Sequence, residues 1–186
     1  MEDGINKAKD LDWELHDLMA QLARTHDPKS YLEIGVREGD SLRAVMDNCN
    51  LEVAIVCDTW KGECGGTDRG DPGHIVEILK NVPEHVVITG ESQKWLFHVH
   101  YPMDLVLVDG SHWQGAAEVD IINAKKIFIG QIIVVHDLDY PGYEYLMSLF
   151  LKHFGDDLVY NYEIRDTKPK TGIAYRRDAY RRYNGR

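Results

Sequence analysis

The stretch from Tyr31 to Ser41, YLEIGVREGDS, constrains the fold more strongly than any other part of this chain of 186 residues. An apolar segment leads into Glu33, and the glycines Gly35 and Gly39 follow. This spacing is typical of a turn from a strand into a helix, because glycine lets the backbone bend sharply and approach a ligand closely. Amides at the start of the helix favour an anionic group such as a carboxylate. The pattern therefore predicts a ligand-binding turn formed by Glu33, Gly35, Gly39 and Ser41.

The rest of the chain alternates between strand and helix patterns. Leu15, Leu18 and Leu22 recur at helical spacing and predict an amphipathic helix that ends near Asp27. The predicted strands are 31–36, 52–58, 86–89, 104–109, 131–136, 159–164 and 172–176, and the helices between them start near 40, 75, 92, 114 and 143. This alternation implies an α/β fold, a Rossmann-like, doubly wound and mostly parallel seven-stranded sheet. Helices cover both faces, and a C-terminal antiparallel hairpin closes the sheet.

Composition indicates one ordinary globular domain. The chain is 44% hydrophobic and 28% charged, without repeats or linker-like tracts. We therefore expect a single domain over 1–186, with an N-terminal helix within 1–28 and a basic tail at 177–186. No apolar run reaches membrane-spanning length, no signal-peptide pattern is present, and the three cysteines form no CxxC pair. These features predict a cytoplasmic protein without a membrane partner.

Charge is distributed unevenly along the chain. The net charge of −10 makes general nucleic-acid binding an unfavourable interpretation. Residues 168–186, however, carry seven Lys or Arg against one Asp, and arginine pairs alternate there with tyrosines. Such a segment can bind phosphates or an acidic partner. We favour the alternative, a tail that folds back on the acidic body.

Polar residues collect where the predicted strands end, which is where ligands bind in parallel α/β sheets. Asp58 ends the second strand, and its carboxylate is suited to accept hydrogen bonds from both hydroxyls of a ribose; the alternative is a loop cap. Thr59 follows in the same candidate cofactor site. Trp60 is suited either to stack on an adenine or to pin the loop, and the sequence leaves both open. Glu91 and Ser92 follow the third strand, where they either meet the adenine edge or cap a helix.

Two neighbouring buried strands each end in an acid, Asp109 and Asp137. Carboxylates at one sheet edge repel each other unless a cation compensates, so the pattern favours a divalent metal site. Oxygen ligands suit Mg²⁺ or Ca²⁺, and His136 would complete the set and favour Mn²⁺. Alternatively, His136 only hydrogen-bonds the backbone. His112 lies three residues after Asp109 and is the candidate general base, with Asp109 beside it as a second catalytic candidate.

These residues resemble a known family, the class I S-adenosylmethionine-dependent methyltransferases. The resemblance covers 31–142 through the segments YLEIGVREGDS, VCDTW, ITGES, DLVLVDGSHW and IIVVHDLDYPG. It is greatest to the metal-dependent O-methyltransferases related to macrocin and mycinamicin sugar methyltransferases and to the protein called cephalosporin hydroxylase. The resemblance implies that the turn at Glu33 holds the methionine part of the cofactor and that Asp58 holds the ribose. It also implies that Asp109 and Asp137 bind Mg²⁺ or Mn²⁺ and that His112 is the base.

The chain departs from this family at one site position, since relatives often carry Glu-Asp or Asp-Asn where His136 and Asp137 stand. We therefore expect a methyltransferase that methylates a small-molecule hydroxyl, such as a sugar or natural product, with a homo-oligomer left open. The loop 61–73 is either a lid over the site or a solvent loop. One rival is a nicotinamide-dependent oxidoreductase, which the mismatch to G-x-G-x-x-G disfavours. The other rival is a cofactor-binding module without catalysis.

Overall fold

The computed structural model describes residues 3–61, 70–126 and 131–177, and the side chains of 14–61, 70–125 and 131–177. Six α-helices are described: α1 Asp3–His26, α2 Asp40–Met46, α3 Pro72–Leu79, α4 Ser92–Trp95, α5 Gln114–Lys126 and α6 Tyr145–Phe154. Seven strands are described: β1 Ser30–Ile34, β2 Val53–Asp58, β3 Glu84–Thr89, β4 Leu105–Val108, β5 Ile132–Val135, β6 Tyr160–Arg165 and β7 Thr171–Arg176. A short 3₁₀ helix, Leu96–His98, follows α4.

The seven strands form one sheet in the order β3-β2-β1-β4-β5-β7-β6. The first five strands in this order are parallel, and β7 lies antiparallel to both β5 and β6. The predicted α/β sheet with its C-terminal hairpin is therefore confirmed. Strand order reverses between β1 and β4, and a cleft for ligands opens at such a reversal, beyond the carboxyl ends of the strands.

Side chains alternate between the two faces of the sheet, and each face has its own apolar cluster. On one face Leu32 packs in a cluster that includes Ile121 of α5 and Phe150 of α6. On the other face Tyr31 packs in a cluster with residues of α1, α2 and α3, among them Leu42. Helices thus cover both faces, as the alternation of strands and helices predicts. The rigid sheet positions the loops at its carboxyl edge.

Element boundaries differ from the predictions by a few residues. β1 stops at Ile34, two residues early, because the chain turns at Gly35 with a φ of 90°. The predicted helix at 92–98 is divided into α4 and the 3₁₀ helix. Neither difference moves a polar residue away from the carboxyl edge of the sheet.

Two predicted features fall largely outside the described residues. The predicted lid, 61–73, is described only at its two ends, and the predicted basic tail only at Arg177. The backbone N–H of Arg177 donates to the carbonyl of Val159 at 2.9 Å, and its Nε donates to the carbonyl of Tyr160 at 3.4 Å. Within the described helices, none combines the length and the apolar character that crossing a membrane requires.

Candidate active site

The turn after β1 requires glycine because of the protein's own packing. A Cβ on Gly35 would lie 2.1 Å from the carbonyl oxygen of Asp109, and a Cβ on Gly39 would lie 2.9 Å from Ile75 and Ile78 of α3. Both glycines have positive φ. The space that a Cβ would take at these glycines is occupied by the turn after β4 and by α3, and their close approach to a ligand stays a prediction.

Glu33 lies beneath this turn with no exposed surface. Its carboxyl accepts a hydrogen bond from the hydroxyl of Tyr31 at 3.0 Å and another from the hydroxyl of Ser41. Burial raises the pKa of Glu33 to about 8, although the two donated hydrogen bonds oppose the shift. Glu33 and Ser41 therefore join β1 to α2. Their direct contact with a cofactor stays a prediction.

Asp58 connects two loops at the end of β2. One carboxylate oxygen accepts from the backbone N–H of Arg37 at 2.8 Å, and the other accepts from the N–H of Trp60 at 2.8 Å. Both amide donors belong to residues with positive φ. The loop cap that the sequence left open is thus present. Each carboxylate oxygen has a second acceptor site, so the cap leaves Asp58 able to accept further hydrogen bonds.

Trp60 packs into the protein. Its side chain is 9% exposed, belongs to the apolar cluster on the side of α1, and donates from Nε1 to the carbonyl of Arg37 at 3.1 Å. Of the two roles considered for Trp60, these contacts fit pinning of the loop, and stacking on adenine stays a prediction. Thr59 is half-buried and accepts a long hydrogen bond, 3.5 Å, from the N–H of Lys61.

In the turn after β3, the side chains of Glu91 and Ser92 do not cap helix α4. Glu91 precedes α4 without a side-chain cap bond and instead pairs with Lys94 at 2.6 Å. Ser92 is buried, and its hydroxyl donates to Oδ1 of Asp120 at 2.7 Å. The Nε2 of Gln93 donates to Oδ2 of Asp120 at 2.9 Å. The capping interpretation was therefore wrong for both side chains, because Glu91 pairs with Lys94 and Ser92 donates to Asp120.

Asp120 and Gln93 were not predicted from the sequence as site residues. Asp120 lies on α5 among the buried residues Ala117, Ile121 and Ala124, and it has no exposed surface itself. Burial raises its pKa to about 7, with the hydrogen bonds from Ser92 and Gln93 opposing the shift. A carboxylate on the apolar face of a helix was the signal that could have identified it, since buried acids need specific partners.

Asp109, His136 and Asp137 come together after β4 and β5. Their ligand atoms all lie within 4.8 Å of one another, and the Nδ1 of His136 lies 3.2 Å from Asp109 and 3.3 Å from Asp137. His136 thus contacts both acids, whereas the alternative interpretation gave it only a hydrogen bond to the backbone. Asp137 has a φ of 60°, an uncommon conformation for a residue with a side chain. Two carboxylates and an imidazole form a donor set suited to Mg²⁺ or Mn²⁺.

His112 joins this group from the loop after β4. Its Nε2 lies 2.7 Å from Oδ2 of Asp137, and its ring packs against Tyr143 with 4.9 Å between ring centroids and against Tyr140 with 5.9 Å. Burial lowers the pKa of His112, but the close contact with the negatively charged Asp137, together with the charge of Asp109, outweighs burial and raises it. The structure thus brings together Asp109, His112, His136 and Asp137, the four residues that the sequence predicted for the metal and the base.

The pKa values of the two acids beside His112 are shifted in opposite directions. Burial raises the pKa of Asp109, against the opposing charge and hydrogen bond of His136. Burial acts in the same direction on Asp137, but the close contact with His112 and the charges of His136, His112 and Arg37 lower its pKa overall. Neighbouring carboxyl groups whose pKa values are shifted apart are typical of functional sites.

Several solved structures with a similar fold are methyltransferases. An O-methyltransferase from Bacillus cereus in complex with SAH, S-adenosylhomocysteine, has a TM-score of 0.69 at 12% identity, covering 94% of this chain and 88% of that one. The O-methyltransferase TomG from Streptomyces achromogenes, solved with SAM, S-adenosylmethionine, and involved in tomaymycin synthesis, has a TM-score of 0.63 at 16% identity, covering 88% and 79%. A TDP-rhamnose 3'-O-methyltransferase of calicheamicin biosynthesis has a TM-score of 0.62 at 16% identity, covering 92% and 80%. The chain has the class I methyltransferase fold.

A family model described as a methyltransferase domain matches residues 32–138, more than half of the chain. The protein therefore belongs to this methyltransferase family, as the resemblance implied. The matched region runs from β1 to the residue after Asp137 and includes each predicted cofactor, metal and catalytic residue. A comparison with curated protein sequences gave no match.

Proposed function

We propose that the protein is an S-adenosylmethionine-dependent O-methyltransferase that acts, with a divalent metal, on a hydroxyl of a small molecule. The observation that carries the proposal is the contact between His112 and Asp137, 2.7 Å, within the group formed by Asp109, His136 and Asp137. This arrangement puts a proton acceptor beside a set of metal ligands, as deprotonation of a hydroxyl requires. Membership of the methyltransferase family disfavours the nicotinamide-dependent alternative.

The residues around the strand ends fit S-adenosylmethionine. The carboxylate of Asp58 would accept from the ribose hydroxyls at the end of β2. The negative charge of Asp58 also attracts the sulfonium cation. When bound, S-adenosylmethionine supplies an electrophilic methyl group. SAM and SAH are present in relatives of the same fold, which supports this choice of cofactor.

Asp109, His136 and Asp137 would hold the metal. Their donor set fits Mg²⁺ or Mn²⁺, and the two carboxylates at one edge provide the negative charge that a cation compensates. When bound, a divalent cation supplies positive charge that stabilises an ionised hydroxyl oxygen. His136, in place of the carboxylate that relatives often carry, adds a nitrogen ligand and favours Mn²⁺ over Mg²⁺.

His112 would take the proton of the acceptor hydroxyl. The carboxylate of Asp137 lies 2.7 Å from Nε2, and its negative charge would stabilise the imidazolium cation that forms when His112 takes up the proton. As His112 takes the proton, the hydroxyl oxygen would bond the methyl carbon, the bond from that carbon to sulfur would break, and S-adenosylhomocysteine would leave.

Aromatic side chains beside His112 point to the acceptor class. The rings of Tyr140 and Tyr143 pack together and against His112, and the side chain of Tyr140 is 41% exposed. An exposed aromatic face suits the planar or C–H faces of a ring compound. We propose a sugar or another polyol-like natural product as the acceptor. The tomaymycin and calicheamicin enzymes of the same fold act in the synthesis of natural products.

Isothermal titration calorimetry with SAM and with SAH tests the cofactor assignment. We expect saturable binding to the wild-type protein and at least about tenfold weaker binding to Asp58→Ala, because one charged acceptor of the ribose is lost. Glu77→Gln, which alters an exposed acid of α3, is the matched control and should bind as the wild type does. Equal binding by Asp58→Ala and wild type would contradict the ribose assignment.

A further inference from the structure

A buried hydrogen-bond network links the first turn of α4 to the middle of α5. Asp120 accepts from the hydroxyl of Ser92 through Oδ1, at 2.7 Å, and from Nε2 of Gln93 through Oδ2, at 2.9 Å. The same Nε2 donates to the hydroxyl oxygen of Ser92 at 2.8 Å. Asp120 has no exposed surface, whereas Gln93 is only half-buried.

The donors in this network determine which way the amide of Gln93 points. An amide nitrogen has two hydrogens, and here one is directed to Asp120 and the other to Ser92. The hydroxyl of Ser92 uses its own hydrogen on Asp120 and therefore can only accept from Gln93. An ionised carboxylate has no hydrogen to donate. Both donors of Gln93 are committed inward, and its carbonyl oxygen Oε1 remains as the acceptor for a ligand.

The network lies at the carboxyl edge of the sheet, between the ends of β2 and β4. The backbone N–H of Gly90, just before α4, donates to the carbonyl of Asp58 at 2.8 Å. On the other side, a Cβ on Gly110 would lie 3.5 Å from Oδ2 of Asp120. The carboxyl of Asp120 thus lies close to the turn that follows Asp109. Gln93 belongs to the same edge as Asp58, the residue proposed to hold the ribose.

We propose that Asp120 is a positioning residue for recognition of the nucleobase: it holds Gln93 with the carbonyl oxygen towards the ligand. An outward carbonyl accepts a hydrogen bond from the exocyclic amine of adenine and repels the carbonyl oxygen of a 6-oxopurine. The discrimination is set by Asp120, which itself does not contact the ligand. This inference rests on the proposed use of S-adenosylmethionine.

Substitution of Asp120 by asparagine changes the donor pattern with little change in shape. The carboxylate of Asp120 accepts one hydrogen bond from Ser92 and one from Gln93. In Asp120→Asn, the side-chain oxygen would accept from only one of them, and the side-chain nitrogen would present a donor to the other. The amide of Gln93 then loses its enforced direction and can turn its nitrogen outward. Gln93→Leu removes the outward acceptor altogether. Glu118→Gln, an acid-to-amide change on the same helix but outside the network, is the matched control.

The test compares the dissociation constants of S-adenosylhomocysteine and of S-inosylhomocysteine, which carries oxygen in place of the amine, by isothermal titration calorimetry. A pH of about 8.5 keeps Asp120 ionised, since its pKa is about 7. We expect the wild type and Glu118→Gln to prefer the adenosyl compound by at least about tenfold. Asp120→Asn and Gln93→Leu should each lose most of this preference. Circular dichroism of every variant checks that it is folded.

Three results distinguish the ways in which the inference can fail. A folded Asp120→Asn variant with the wild-type preference overturns the inference while leaving the proposed function intact. If Asp120→Asn does not fold, Gln93→Leu decides, because an unchanged preference in that variant also overturns the inference. If the wild type binds neither compound, the proposed function fails and the inference fails with it.

Discussion

The Nε2 of His112 lies 2.7 Å from Oδ2 of Asp137, although the two residues follow different strands. β4 and β5 are parallel neighbours, with Val108 paired to Val135, so their carboxyl ends reach the same point of the sheet edge. The loops beyond them bring the imidazole onto the acid. This contact connects the proposed base to the proposed metal ligands, and the mechanistic predictions depend on it.

Removal of the imidazole should slow methyl transfer without weakening cofactor binding. For His112→Gln we expect kcat to fall by about 10²- to 10⁴-fold, the usual contribution of a positioned base. The dissociation constant of SAH should stay within about twofold of wild type. Steady-state kinetics and calorimetry measure the two quantities. His85→Gln, at an exposed histidine near the start of the edge strand β3, is the control. An unchanged kcat in His112→Gln would exclude its role as base.

Metal binding should depend on both acids of the site. In Asp109→Asn and Asp137→Asn we expect affinity for Mn²⁺ to fall by at least about tenfold, because each change removes one charged ligand. Titration followed by electron paramagnetic resonance counts the Mn²⁺ that stays in solution. Asp166→Asn, at an acid whose side chain is 94% exposed, should keep the wild-type affinity. If Asp109→Asn and Asp137→Asn both bind Mn²⁺ as tightly as the wild type does, the metal binds elsewhere or does not bind.

The cluster of acids and histidines could be predicted from the sequence because strand direction determines it. Asp109 and Asp137 each follow a run of buried apolar residues, and parallel neighbours bring such positions to one edge. The reason for the glycines could not be predicted. Gly35 faces Asp109 and Gly39 faces α3, and both contacts join segments that are distant in sequence.

The network of Asp120 shows the same limit of local reasoning. Ser92 and Glu91 stand where helix caps occur, and local preference therefore favoured capping. The bond from Ser92 to Asp120 spans 28 residues and forms only when α4 and α5 pack on the same face of the sheet. Tertiary packing decided the partners, and the sequence around Ser92 carries no sign of it.

Glu33 should make the fold less stable as pH rises. Its pKa is about 8 in the folded protein, against 4.5 for an ordinary glutamate. Between these two values the folded state retains a proton that the unfolded state has released, so the free energy of unfolding decreases by up to about 1.4 kcal/mol per pH unit. Below pH 4.5 this contribution to stability is fully present, and it is lost progressively up to about pH 8.

Glu33→Gln removes this titration, because an amide does not ionise in this pH range. The hydroxyls of Tyr31 and Ser41 can turn to suit the neutral amide. We expect its free energy of unfolding to vary less between about pH 5 and 8 than that of the wild type. Urea denaturation at several pH values gives both curves. Glu77→Gln should parallel the wild type. A pH dependence of Glu33→Gln identical to that of the wild type would show that the buried carboxyl does not titrate in this range.

Gly35 should be intolerant of even one added carbon. Gly35→Ala places a Cβ 2.1 Å from a carbonyl oxygen and forces a side chain onto a φ of 90°. We expect a loss of about 3 kcal/mol or more in the free energy of unfolding. Gly115→Ala, whose Cβ would meet nothing within 4 Å in α5, should be neutral or slightly stabilising. Thermal denaturation compares the two; equal melting temperatures would contradict the close approach to Asp109.

The most direct test of O-methyl transfer uses S-adenosylmethionine with a trideuterated methyl group and a panel of sugar and phenolic acceptors. The wild type is incubated with and without Mn²⁺ or Mg²⁺, and the products are analysed by mass spectrometry and NMR. We predict a trideuterated methyl group on an oxygen of at least one acceptor, formed in the presence of metal and abolished by EDTA. A label found on nitrogen or carbon, or transfer that EDTA leaves unchanged, would contradict metal-assisted O-methylation; cofactor binding without any transfer would favour the non-catalytic module.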